Sequence, residues 1–204
     1  MHDFVLSEKQ KKLLPLLSYF KRSFGLVGGT AIALHIGHRK SIDFDLATTG
    51  EFDGQEIGET VRRDYEIQSV IVDKPTELTV VVDDIKVSFF KYPFGIAFEE
   101  NFENVIHTPD LLTLASMKAY ALGRRSRWKD YVDLYFLFKK FTFEEVSEKA
   151  IFFFGGEFNE KLFREQLYFF DDIDYSEGIE YIKDHEIPDD EIKKRLIEIS
   201  FSKK

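Results

Sequence analysis

Two adjacent glycines, Gly28-Gly29, break an apolar run and limit what this chain can fold into more than any other feature. Before them, Phe24 to Val27 is a short strand candidate. After them, Thr30 to Ile36 has the composition of a helix stopped by Gly37. Ser41 to Ala47 then alternates polar and apolar residues, the period-two pattern of a strand with one buried face. A strand, a turn without side chains, a helix and a second strand thus follow one another directly. Two glycines let backbone approach a bulky anion, and the N-terminus of the next helix offers unpaired N–H groups to phosphate oxygens. Thr30 adds a hydroxyl there. Asp43 and Asp45 project to the same face of the second strand, about 6 to 7 Å apart at their Cα atoms. Such hard oxygen donors share Mg²⁺, which keeps coordination positions open for water and substrate phosphates, and a bound cation removes their mutual repulsion. A lone Gly-Gly is ordinarily a tight turn, and a lone Asp-x-Asp a solvated face. In this order and spacing they point to nucleotide binding.

The remainder of the 204 residues supplies the setting. Ser7 and Gln10 form a capping box, with Leu13, Leu14, Leu17 and Phe20 at helical spacing behind it and Pro15 in the middle. A helix is expected over 54–63 and strands over 66–72, 77–82 and 85–92, the last two joined by an Asp83-Asp84 turn. Thr108-Pro109 has the form of a Thr cap followed by proline at the first helical position, opening a helix through Lys118 to about Gly123. Further helices are expected over 129–140, 143–154, 159–169 and 189–200. The fold class is therefore α+β: a mixed β-sheet flanked by helices within 1–107, and a helical portion over 108–204 that packs on the core and closes the cleft.

Composition narrows the function. A net charge of −9 argues against a generally basic nucleic-acid coat, so any such contact is local. Zero cysteines exclude disulfides, thiol catalysis and a zinc-finger core. No apolar run approaches the roughly 20 residues of a membrane helix, and the first residues lack a secretory pattern, so a cytoplasmic location without a membrane partner is expected. Arg124-Arg125-Ser126-Arg127-Trp128-Lys129 concentrates positive charge. It either contacts a polyanion, with Trp128 stacking on a base, or is a solvated interhelix loop with its Trp in the core. His35 and His38 are expected as helix-end surface residues, because no carboxylate completes a ligand set with them.

Gly28-Gly29, the 13 residues Thr30 through Ile42, and Asp43-x-Asp45 resemble the signature of the DNA polymerase β-like nucleotidyltransferase superfamily. The wording LVGGTAIALHIGHRKSIDFDL, with the later LASMKAYALGRRSRWKDYVDLYFL, is similar to the AbiEii/AbiGii toxin branch, over roughly Phe24 to Phe138. The resemblance implies a nucleotidyltransferase-like sheet. It assigns the triphosphate to Gly28 and Gly29, the metal to Asp43 and Asp45, phosphate contact to Lys118, and completion of the site to Asp130, with Asp133 an open alternative. Arg39 is a further candidate for the leaving group. Ser88 stands where many superfamily members carry a third carboxylate, and a hydroxyl is a poor Mg²⁺ ligand and a poor general base.

The expectation is a Mg²⁺-dependent transfer of a nucleoside monophosphate from a nucleoside triphosphate to an acceptor hydroxyl. By resemblance the acceptor is RNA such as tRNA, and the chain is a toxin with an antitoxin protein as partner. A nucleotide-binding module impaired at Ser88, and a non-enzymatic interaction protein using its carboxyl-terminal aromatics, are the alternatives.

Overall fold

The computed structural model describes residues 1–122, 124–125 and 127–202. It divides into two units, Met1–Asp110 and Leu111–Lys204. The division falls slightly beyond the expected 107/108 boundary because the chain is still in the sheet at Thr108.

In the first unit, helix α1 (Glu8–Phe20) starts where the capping box predicts. The Ser7 hydroxyl accepts from the Gln10 N–H, and the Gln10 side chain accepts from the Ser7 N–H at 3.0 Å. Leu13, Leu16, Leu17 and Phe20 are buried, while Pro15 is exposed, where water can meet the carbonyl its missing N–H leaves unpaired. There follow β1 (Gly25–Val27), α2 (Gly28–Ile36), β2 (Phe44–Thr48), α3 (Gly54–Val61), β3 (Ser69–Lys74), β4 (Glu77–Val82), β5 (Ile85–Lys91), β6 (Glu100–Phe102) and β7 (Ile106–Thr108). Among the described residues these strands form one seven-stranded sheet in the order β3-β4-β5-β2-β1-β7-β6. It is mixed, as expected: β2 runs parallel to β5 and β1 to β7, and the other neighbours are antiparallel.

Alternation along β2 decides what reaches the core. Phe44 and Leu46 are fully buried, Leu46 lies in register with Phe89 of β5, and the Phe20 ring of α1 meets Phe89 at 4.7 Å. Each such side chain contributes about 1.5 to 3 kcal/mol by leaving water. Asp45, one residue out of phase, is sent to the opposite face. Asp83 and Asp84 take φ of 50° and 62°, so the β4–β5 hairpin closes with two left-handed residues in the place usually filled by Asn-Gly.

Some expectations shift. Helix α2 begins at Gly28 itself rather than after the glycines, and Asp43 precedes β2 rather than lying within it. Thr108 ends β7 and caps nothing; the helix begins at Leu111. His38 is fully buried, not a surface residue, because the turn after Gly37 folds it back into the core.

The second unit is helical among its described residues: α4 (Leu111–Leu122), α5 (Trp128–Leu137), α6 (Phe143–Phe154), α7 (Glu160–Gln166) and α8 (Asp189–Ser200). Thr142 and Glu145 form a second capping box, and Gly155 at φ 52° stops α6. α6 packs on α4 and α8 on α5, and the Phe138, Phe143 and Phe163 rings meet one another, the last two stacked 5.3 Å apart. Gly123, the expected end of α4, and Ser126 lie outside the described residues. No described helix is long and apolar enough to cross a membrane.

Candidate active site

The site grows from the junction of β1 and α2. Gly28 has φ +72°, a conformation that costs an L side chain about 1 to 2 kcal/mol, and a Cβ there would stand 2.5 Å from Asp45 Oδ2. A Cβ on Gly29 would stand 2.6 Å from Arg39 Nη2. The two glycines therefore admit, side by side, a carboxylate and a guanidinium against the first turn of α2. Val27 at the N-cap has no side-chain oxygen to offer that turn, so its N–H groups must be met by water, a ligand or a neighbouring carboxylate.

Thr30 is 2 % exposed. Its hydroxyl lies 2.9 Å from Ser41 Oγ and donates to the Asp43 carbonyl, which ties α2 to the segment entering β2 and so fixes where Asp43 begins. Arg39 is equally buried and donates to the Lys40 carbonyl at 2.9 Å. Asp43 Oδ2 pairs with Lys86 Nζ of β5 at 2.7 Å, both side chains about a third exposed at 35 % and 37 %. Sequence reasoning missed Lys86. Its signal is the alternation of β5, which puts it on the face of Ser88, two residues on.

Cross-strand register places Ser88 beside Asp45 on one side and Thr79 on the other. The position of the third carboxylate is thus a hydroxyl next to a hydroxyl. Among the described residues no group of three or more His, Cys, Asp or Glu side chains is arranged to hold a metal. Burial lowers the pKa of His35.

The remaining expected residues gather in the second unit. Lys118, on α4, is 3 % exposed and lies 2.6 Å from Asp130 Oδ1 and 2.9 Å from Asp133 Oδ2, both on α5. Asp130 also accepts from Arg125 Nε at 2.9 Å and Nη2 at 3.1 Å. Burial alone would raise the Asp130 pKa, but Lys118 and Arg125 outweigh it and hold the carboxyl below its ordinary value. One lysine bridges Asp130 and Asp133. Trp128 is 4 % exposed, donates from Nε1 to Asp189 Oδ1 at 3.0 Å and stacks on Tyr131, so it is a core residue and not a platform for a base. Burying the indole removes more apolar area from water than any exposed placement would, and Asp189 satisfies its one polar atom.

A sequence model of the nucleotidyl transferase AbiEii toxins of type IV toxin–antitoxin systems matches residues 16–195. This chain belongs to that family. The match takes in both the Gly28–Asp45 junction and the Lys118–Asp133 cluster. An uncharacterised Aquifex aeolicus (strain VF5) protein is 36% identical over 121 residues, 57% of this chain and 58% of the relative, so the chain spans well under two thirds of that protein. Among solved structures, a candidate nucleotidyltransferase from Helicobacter pylori aligns with TM-score 0.54 at 18% identity, covering 79% of each chain. JHP933 of Helicobacter pylori aligns with TM-score 0.52 at 17% identity, over 79% of this chain and 77% of that one. At these identities the two structures attest the AbiEii member's nucleotidyltransferase-like fold.

Proposed function

We propose that this chain is an active nucleotidyltransferase that moves a nucleoside monophosphate from a nucleoside triphosphate to an acceptor hydroxyl. RNA such as tRNA is the acceptor class, and the chain acts as a cytoplasmic toxin whose neutralising partner is an antitoxin protein. The observation that carries the reading is the contact of Gly28 with Asp45: a left-handed glycine opens the start of a helix beside a half-buried carboxylate. The first turn of α2 binds phosphate oxygens, and Arg39, admitted by Gly29, adds positive charge for the departing pyrophosphate.

The donor set fits Mg²⁺ that arrives with the triphosphate, since that ion commonly takes one or two carboxylates and fills its other positions with water and phosphate. Asp43, already facing the Lys86 ammonium, and Asp45 are the residues that would hold it. Bound there, Mg²⁺ supplies neutralisation of charge on the phosphate oxygens. The acceptor oxygen bonds to the α-phosphorus as the bond to the pyrophosphate oxygen breaks, and the hydroxyl proton passes to water, since Ser88 is a poor base.

The decisive assay incubates the protein with each labelled triphosphate, Mg²⁺ and total tRNA. Transfer is expected in the wild type and a loss of at least about 100-fold in Asp43→Asn and Asp45→Asn, in keeping with removal of an electrostatic catalytic group. Full transfer by both variants sinks the site assignment. Ser88, flanked by Asp45 and Thr79, favours one other reading, a module that binds a triphosphate without turnover. It requires a rise in melting temperature with the triphosphate and no label on any RNA.

A further inference from the structure

At the end of β1 opposite Gly28, the first unit has a cavity of about 320 Å³. That is the lower end of the range in which proteins hold small ligands, about 300 to 1,000 Å³. Its walls combine three kinds of chemistry. The aromatic rings of Phe24 and Phe98 line it, Thr48 contributes a hydroxyl, and Lys21 and Arg22 bring positive charge. None of the lining residues is acidic in a chain of net charge −9. The larger groove along α3 and β4, of about 870 Å³, mixes Glu51, Asp53 and Asp73 with Arg62 and Lys74 and has no such bias.

Local details indicate an open receptor rather than a satisfied surface. Arg22 has no carboxylate partner among the described residues, and Lys21 gives its ammonium only to the Asn104 carbonyl, at 3.2 Å. The C-terminal dipole of α1 favours cations at this place, which accounts for the charge but not for the absence of any acid around it. His107 lines the same cavity and is in register with Gly25; its buried Nδ1 has no hydrogen-bond partner among the described residues. The Phe98 ring occupies the space where a Cβ on Gly25 would be, so the glycine lets the ring lie against the strand.

We infer that this cavity is a second nucleotide site, distinct from the Gly28–Asp45 junction, that takes a phosphorylated nucleoside with its base on Phe98 and its phosphate on Lys21 and Arg22. Aromatic stacking and a pair of cations without competing acids are the requirements of single-stranded nucleic acid or a free nucleotide, and either source carries the same group. The site's use as a hold on the acceptor rests on the transfer reading; its binding chemistry does not.

The test is fluorescence anisotropy with a short fluorescein-labelled single-stranded oligoribonucleotide, with AMP as competitor, in EDTA and without triphosphate. The wild type, a Lys21→Gln/Arg22→Gln double variant and Phe98→Ala are compared. Both altered cations are exposed, so the double variant should melt as the wild type does. A weakening of about tenfold in affinity is expected from Phe98→Ala, as for one stacked base. The double variant should also flatten the slope of log K against log salt by about 0.7 for each phosphate that it no longer neutralises. Oligonucleotide binding that AMP does not displace identifies RNA as the source, and displacement by AMP identifies the free nucleotide. Unchanged binding in both variants, or no binding of either probe by the wild type, overturns the inference. A protein that passes this test and transfers no label refutes the transfer reading alone, and one that transfers label but fails here refutes only the second site.

Discussion

Lysine–aspartate contacts of similar length stand in opposite surroundings in the two units. Lys86 and Asp43 meet at 2.7 Å with about a third of each side chain exposed, whereas Lys118 meets Asp130 at 2.6 Å and Asp133 at 2.9 Å with every partner at 3 % or less. Water screens the first pair and can replace either partner, so the contact adds little stability and Asp43 stays available to another cation. The second contact is fully desolvated. Each member has surrendered its hydration and depends on the others, so the cluster ties α4 to α5. Distance is the same in both; exposure separates a contact that can be exchanged from one that is locked.

The largest effect is expected at the locked cluster. Lys118→Met removes the buried ammonium shared by Asp133 and by Asp130, which keeps Arg125, and should lower unfolding free energy by about 3 to 5 kcal/mol, read as the midpoint and slope of urea unfolding. A change under about 1 kcal/mol, typical of surface pairs, would break the distinction. Gly28→Ala comes next: the left-handed backbone costs about 1 to 2 kcal/mol, and the new methyl must displace Asp45 Oδ2. Thermal unfolding should show the strain, and the transfer assay a fall in rate well beyond it, because the carboxylate moves.

Acid should act on the same cluster with a definite sign. The Asp130 pKa lies below its unfolded value of 3.8, so its stabilisation is fully present above that pH and is lost as pH falls through the lower folded value. Urea midpoints measured from pH 6 down to pH 2 should fall less steeply in Asp130→Asn than in the wild type. The smallest effect belongs to Lys86→Met, within about 1 kcal/mol of wild type. Destabilisation matching that of Lys118→Met would show that Asp43 is held as rigidly as Asp130.

Much of the first unit was legible because short-range rules act there without competition. Ser7 with Gln10, Gly37 and the alternation through Phe44 and Leu46 each record a local requirement of a cap, a left-handed stop or a half-buried strand. β6 and β7 escaped because three residues carry no readable period, and Thr108-Pro109 imitated a helix start. Trp128 could belong to a loop or a core until Asp189, 61 positions away in the chain, supplied a partner for its indole.

The order of residues alone determined that the glycines, a helix start and the strand carrying Asp45 would follow one another, since backbone sterics and the two-residue period of a strand depend on neighbours only. Only the tertiary structure decided that Lys86 faces Asp43, that Ser88 lies between Asp45 and Thr79, and that Lys118 is buried between two acids. Those facts depend on register between strands and on how far water is excluded, and both arise from contacts between segments remote in sequence.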